Sequence, residues 1–266
     1  MSPCLRALTI AAYSALTVSF AGNASASLIA HYSFDGAVTA DSSGNGRTLT
    51  TGSGGPTQVV GQFGNAANFA GAGFLYSADS AFNIGTGNFA ISLWYQASES
   101  LFSPLVGKNS SSSNAGYAVS QSTILAGDVG DTTGGAVATA RPGDDLSVFH
   151  HIVFQQIGTT LEFYLDGILA DTFSGATGSD SSNAFAIGSR NITSGGVEGS
   201  GGGTSQKFNG LMDEVFVFDN ALSQTEISNL QQFNSLDAPA VPEPGILAIF
   251  CLGLFGMGYI RRRTSV

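Results

Sequence analysis

Cysteine is nearly missing from this sequence: the 266 residues contain two, Cys4 and Cys251. Both sit in apolar stretches near the chain ends, so the region from Ser27 to Ala240 has no disulfide to draw on. Its stability must come from a packed core or a metal. Positive charge is also scarce, with nine Lys and Arg against nineteen Asp and Glu for a formal −10. An anionic nucleic acid would be repelled, which excludes DNA and RNA as partners. Charged side chains make up only 11% of a chain that is 43% hydrophobic and carries 19 Phe, which excludes a disordered polyelectrolyte. Proline is held to 7 residues against 36 Gly with no three-residue period, which excludes collagen and implies many tight turns. This is the composition of an all-β protein.

Both ends stand apart from the rest. Residues 1–26 read as a signal peptide: Arg6, an apolar run from Leu8 to Phe20, then Ala24-Ser25-Ala26, the small-residue pattern that signal peptidase requires before Ser27. At the other end, residues 237–244 form a linker ending in Val241-Pro242-Glu243-Pro244, where the prolines forbid helix. An uncharged apolar stretch, 245–260, follows as a membrane helix, and 261–266 is a basic tail carrying Arg261, Arg262 and Arg263. At ~1.5 Å per residue the apolar stretch covers roughly 24 Å of a hydrocarbon core about 30 Å thick, so it crosses only a thin bilayer or one its arginines reach by snorkelling. Those arginines stay in the cytoplasm by the positive-inside rule, and the bulk of the chain lies outside.

The order Pro-Glu-Pro, apolar helix, arginine cluster resembles the PEP-CTERM sorting signal of Gram-negative, exopolysaccharide-producing bacteria. The resemblance implies export through the inner membrane, recognition of Pro242, Glu243, Pro244 and the arginines by an exosortase, and release to the cell surface or the extracellular space. An ordinary C-terminal anchor behind a proline linker is the alternative for the same residues. Without both ends the exported region keeps five positive residues (Arg47, Lys108, Arg141, Arg190, Lys207) against eighteen acidic ones, a formal −13.

Within residues 27–236 the rhythm is period two. Phe89, Ile91, Leu93 and Tyr95 alternate with Ala90, Ser92, Trp94 and Gln96, a strand with both faces covered. Leu161 to Leu165 alternates in the same way, Asp166-Gly167 supplies a hairpin turn with positive φ, and Ile168 to Phe173 returns as its partner. Val148 to Ile157 and Asn209 to Phe218 are further strands, while Ser110 to Asn114, Gly127 to Gly135 and Ser194 to Ser205 are polar loops. One helix is predicted, about Gln224 to Gln231. Ser223 and Glu226 form its capping box, Leu222 and Ile227 a hydrophobic staple, and Ile227 with Leu230 its inward side.

Blocks spread along this region resemble the LamG-type, concanavalin A-like jelly roll: His31-Tyr32-Ser33-Phe34-Asp35-Gly36, Asp41-Ser42-Ser43-Gly44-Asn45-Gly46, Gly64-Asn65-Ala66-Ala67-Asn68-Phe69, Ile91-Ser92-Leu93-Trp94, His150 to Phe154, Tyr164 to Gly167, and Phe208 to Val215. The resemblance implies a two-sheet antiparallel sandwich whose first and last strands are neighbours, plus the one short helix. It does not imply a ligand, because the fold hosts lectins, hydrolases and structural modules alike. It also implies one structural calcium where those strands meet, with Asp35, Asn45 and Asp213 in the regions that would supply oxygen. Carboxylates and amides capping a turn would account for the same residues. The local Asp41-x-Ser43-x-Asn45-Gly46 pattern is no EF-hand, since Gly52 stands where a bidentate Glu is needed.

Catalysis is not expected. The E-x-D-x-x-E carboxylate pattern of laminarinase-type jelly rolls is missing, as are a G-x-S-x-G elbow and, in the exported region, any cysteine nucleophile. Asp213 and Glu214 are adjacent on a strand and so expected on opposite faces, as are His150 and His151. Glu162 and Asp166 share a face but end in a turn. The expected function is therefore an exported, noncatalytic surface or matrix protein that binds glycan or exopolysaccharide. A glycoside hydrolase with an unfamiliar carboxylate pair and a structural or protein-adhesion module are the alternatives. Glycan binding needs aromatics that stack on sugar rings. Trp94, the only tryptophan, is expected in the core, which leaves Phe74 and Tyr76 beside a glycine-rich loop as the contacts.

Overall fold

A computed structural model describes residues 26–71, 73–109, 115–130, 135–140, 147–198 and 207–237. The signal peptide up to Ser25, the Pro242–Pro244 motif, the apolar stretch and the arginine tail lie outside the described residues, as do loop residues 110–114. Among the described residues no helix is long and apolar enough to cross a membrane.

Among the described residues, period-two patterning yields fifteen strands: β1 (Leu28–Tyr32), β2 (Thr50–Thr51), β3 (Thr57–Val60), β4 (Asn65–Ala70), β5 (Leu75–Ser77), β6 (Phe89–Ala97), β7 (Ser103–Asn109), β8 (Gly116–Gln121), β9 (Ile124–Val129), β10 (Ala136–Ala140), β11 (His150–Ile157), β12 (Thr160–Leu165), β13 (Ile168–Ser174), β14 (Phe185–Ile187) and β15 (Asn209–Phe218). One helix follows, α1 (Gln224–Phe233). The strands form two sheets with all pairings antiparallel: eight strands in the order β13-β12-β11-β6-β15-β4-β3, with β1 added on β15, and seven in the order β10-β9-β8-β7-β14-β5-β2. The first strand pairs with the last, as the resemblance implied.

The main core lies between the sheets. From β6 it takes Phe89, Ile91, Leu93, Tyr95 and Ala97, from β15 Met212, Val215 and Val217, and from the opposite sheet Leu105, Tyr117, Val119, Leu125 and Phe185. The alternate residues of β6 are covered too: Ala90 joins Val153, Phe216, Phe218 and the helix residues Ile227 and Leu230 in a second apolar layer. An isolated ten-residue helix is marginal in water. Burying Ile227 and Leu230 contributes about 1.5–3 kcal/mol each, against about 1 kcal/mol from the N-cap, so packing holds the helix and the cap sets where it starts. Both halves of the capping box form, between Ser223 and Glu226.

Two sequence expectations change here. Gly127 to Val129 belong to β9 rather than to a loop, and Gly127 is buried against Phe154, whose ring a Cβ at that position would strike. Ala126, Gly127 and Asp128 in the middle of the strand interrupt its hydrophobic pattern, and Gly127 alone reads as a turn. The strand expected from Val148 begins at His150.

Candidate functional site

Two places gather polar groups. The first is on the outer face of the eight-stranded sheet. At the middle of β15 the pairing register with β6 shifts between Asp213 and Phe216, and Glu214 adopts φ +51. Met212 and Val215 both face the main core, so the two residues between them both face outward. This overturns the expectation that Asp213 and Glu214 point to opposite faces: a bulge adds one residue to the strand and breaks the alternation. Across the sheet Asp213 pairs with Trp94, and Trp94 with His151.

These carboxylates hold the fold together. Asp213 Oδ2 accepts hydrogen bonds from the backbone amides of Gln62 (2.8 Å) and Phe63 (2.9 Å), fixing the turn between β3 and β4. Phe63 then packs edge-on against Trp94 with ring centroids 5.7 Å apart. Glu214 pairs with His31, which stacks on Phe216 at 3.9 Å. Burial raises the Asp213 carboxyl to about 7, with the Glu214 charge adding to it and the amides of Phe63 and Gln62 opposing it. His151 donates or accepts through Nε2 to Ser92 Oγ at 2.8 Å, and burial lowers its pKa to about 4. His150 takes the other side, bonding Asp166 at 2.9 Å. Glu162 accepts from Gln155 and Tyr164. Asp213 and Glu214 are 0% and 2% exposed, so no substrate reaches the pair.

Each residue expected around a calcium ion has protein partners of its own. Asp35 and Asp213 flank one turn, where Asp35 Oδ1 accepts from the Asn65 amide at 2.8 Å. Asn45 donates through Nδ2 to the Leu28 and Ile29 carbonyls at 2.8 and 3.0 Å. Asp41 caps three amides, those of His31, Ser43 and Arg47. Among the described residues no group of three or more His, Cys, Asp or Glu is placed to hold a metal.

The second place lies beside the outer face of the seven-stranded sheet. Tyr76 on β5 and Ala186 on β14 are register partners that turn away from the main core and pack with Phe74, Ala184 and Ile192. A cavity of about 350 Å³ opens next to this cluster, lined by Ser53, Phe74, Gly196, Val197, Glu198 and Lys207. That is at the lower end of the size range of small-ligand sites. Lys207 Nζ sits 2.9 Å from Glu198 Oε1 and 5.5 Å from the centre of the Phe74 ring. Phe74 is only 1% exposed, so it forms a wall rather than an open stacking platform, while Tyr76 is half-buried beside it. Trp94, at 7% exposure, is core as expected.

Sequence reading reached Phe74 and Tyr76 but not their polar companions. Glu198 and Lys207 lie in and just after a stretch read as a polar surface loop. The bridge between Ile192 and Glu198 folds residues 192–198 back, and this tertiary step brings Glu198 to the cavity at Phe74.

With the sandwich and its paired terminal strands in view, comparison with known families is decisive. Residues 69–228 match the model of the concanavalin A-like lectin/glucanases superfamily (Laminin_G_3). The chain belongs to that superfamily. Residues 240–263 match the PEP-CTERM protein-sorting motif, so this family member carries a sorting signal for export. No curated protein matches the sequence.

Solved structures share the fold at low identity. Domain 4 of AbnA, a GH43 extracellular arabinanase from Geobacillus stearothermophilus in complex with arabinotriose, matches at 20% identity and TM-score 0.58, covering 78% of this chain and all of that one. The binding domain of Paraclostridial Mosquitocidal Protein 1 matches at 17% and 0.56, covering 72% of this chain and 48% of that one. The binding domain of botulinum neurotoxin DC in complex with SialylT matches at 15% and 0.55, covering 80% of this chain and 52% of that one. The chain spans about half the length of these toxin domains.

Proposed function

We propose that this protein is an exported, noncatalytic module that binds glycan on the bacterial surface or in the extracellular matrix, after an exosortase has processed its tail. The observation that carries the reading is the cavity at Phe74, which joins an aromatic wall to a hydroxyl, a carboxylate and an ammonium beside Tyr76. An apolar wall set beside fixed donors and acceptors suits a sugar, which has both apolar C–H faces and hydroxyls. The arabinotriose bound to domain 4 of the arabinanase supports the reading by analogy of fold. Noncatalysis is supported by the lining: Glu198 is the one acid among the described residues there, where glycoside hydrolysis uses two carboxylates.

The test is a glycan array probed with the full-length chain in detergent, with and without calcium, together with a reducing-sugar assay on every glycan retained. Binding without release of reducing ends is expected. Release of reducing ends abolished by Glu198→Gln would replace this reading with the hydrolase, and no retention of any glycan would favour the protein-adhesion alternative. A calcium-dependent signal would assign the cation a role in the fold or the site.

A further inference from the structure

We infer that the cavity at Phe74 selects neutral, hydroxyl-rich glycans and rejects uronate- or sulfate-bearing ones; this rests on the glycan-binding reading above. Two independent observations point the same way. The first is local. The charged groups lining the cavity are Lys207 and Glu198, joined at 2.9 Å, so the pair contributes no net charge to a ligand. Its ammonium donates and its carboxylate accepts, which matches a sugar hydroxyl, itself both donor and acceptor. An acidic sugar would have to take Lys207 from Glu198 and lie against a displaced carboxylate.

The second concerns every other cation in the described residues. Arg47 reaches Asp79 at 3.8 Å and the Ile29 carbonyl at 3.3 Å. Lys108 is buried, with Nζ donating to the Ser181 and Asn183 carbonyls at 2.5 Å each. Arg190 lies over the Phe102 ring at 4.8 Å and acts on Asp128, whose carboxyl burial raises to about 6 and Arg190 draws back down. Each is engaged away from the cavity, and the exported region carries a formal −13. The field around such a surface lowers the local concentration of a polyanion rather than raising it.

Calorimetric titration of the full-length chain in detergent tests this with arabinotriose and other neutral oligosaccharides on one side and oligogalacturonate on the other, at low and high salt. Neutral oligosaccharide should bind with an affinity that salt leaves unchanged, because no net charge is neutralised. Lys207→Met and Glu198→Gln should each weaken it about tenfold or more, the cost of losing a charge-assisted hydrogen bond. Oligogalacturonate should bind at least about tenfold more weakly than neutral sugar at low salt, with high salt narrowing the gap as repulsion is screened. Tighter binding of oligogalacturonate, lost in Lys207→Met, overturns the selectivity while leaving glycan binding intact. Failure of every sugar to bind a chain that melts cooperatively overturns glycan binding itself.

Discussion

Asp213 shows how one residue can look functional and act structurally. Its carboxylate, raised to about 7 chiefly by burial, takes up a proton on folding between the ordinary value of 3.8 and about 7. The sign follows: its contribution favours the folded state most at low pH and is lost as pH rises towards 7. His151, lowered to about 4 by burial, works the other way, its contribution being present above 6.5 and lost as pH falls through 4. Comparing wild type with Asp213→Asn leaves the histidine on both sides of the difference. The melting-temperature gap between them should therefore change across the interval from 3.8 to about 7, the wild type losing ground to the variant as pH rises. A gap independent of pH would show that the group titrates normally. Lys108 gives a second test: its pKa is lowered by burial, with Asp180 opposing, and its ammonium satisfies two carbonyls. Lys108→Met leaves those carbonyls unpaired at about 1–3 kcal/mol, which at roughly 2–4 °C per kcal/mol lowers the melting temperature by several degrees.

At the scale of elements, what the sequence made legible followed from local chemistry. The Asp166-Gly167 hairpin was readable because both residues need positive φ, and they adopt +48 and +78. The helix was readable because Ser223 and Glu226 stand three apart ahead of apolar residues, and removing the cap by Ser223→Ala should cost about 1 kcal/mol in thermal or denaturant melts without unfolding the sandwich. Strand β15 was legible end to end, yet its bulge was not, since nothing in Met212 to Val215 marks which residue will take the left-handed conformation. That missing step hid the shared face of Asp213 and Glu214. The cavity was half legible for a similar reason: aromatic residues beside a turn announce themselves, but Glu198 reaches them through the folding-back of residues 192–198 and Lys207 through the approach to β15, where Phe208 bonds Gly188.

For the whole molecule, a sandwich without disulfides is attached to a tail that matches a sorting motif. Replacing Pro242, Glu243 and Pro244 with alanine should leave an uncleaved form in the inner membrane of a host that has an exosortase, detected as a heavier band in the membrane fraction. Mature protein of unchanged mass and location would contradict the proposed processing. The central claim, that glycan occupies the cavity beside Phe74, is tested most directly by plugging it. Val197 lines the cavity and is 64% exposed, so Val197→Trp can fill the space without disturbing the core. Affinity electrophoresis through a gel containing a polysaccharide retained on the array should show wild-type chain retarded and Val197→Trp running freely, with equal melting temperatures. Equal retardation of the two would contradict the assignment of the cavity.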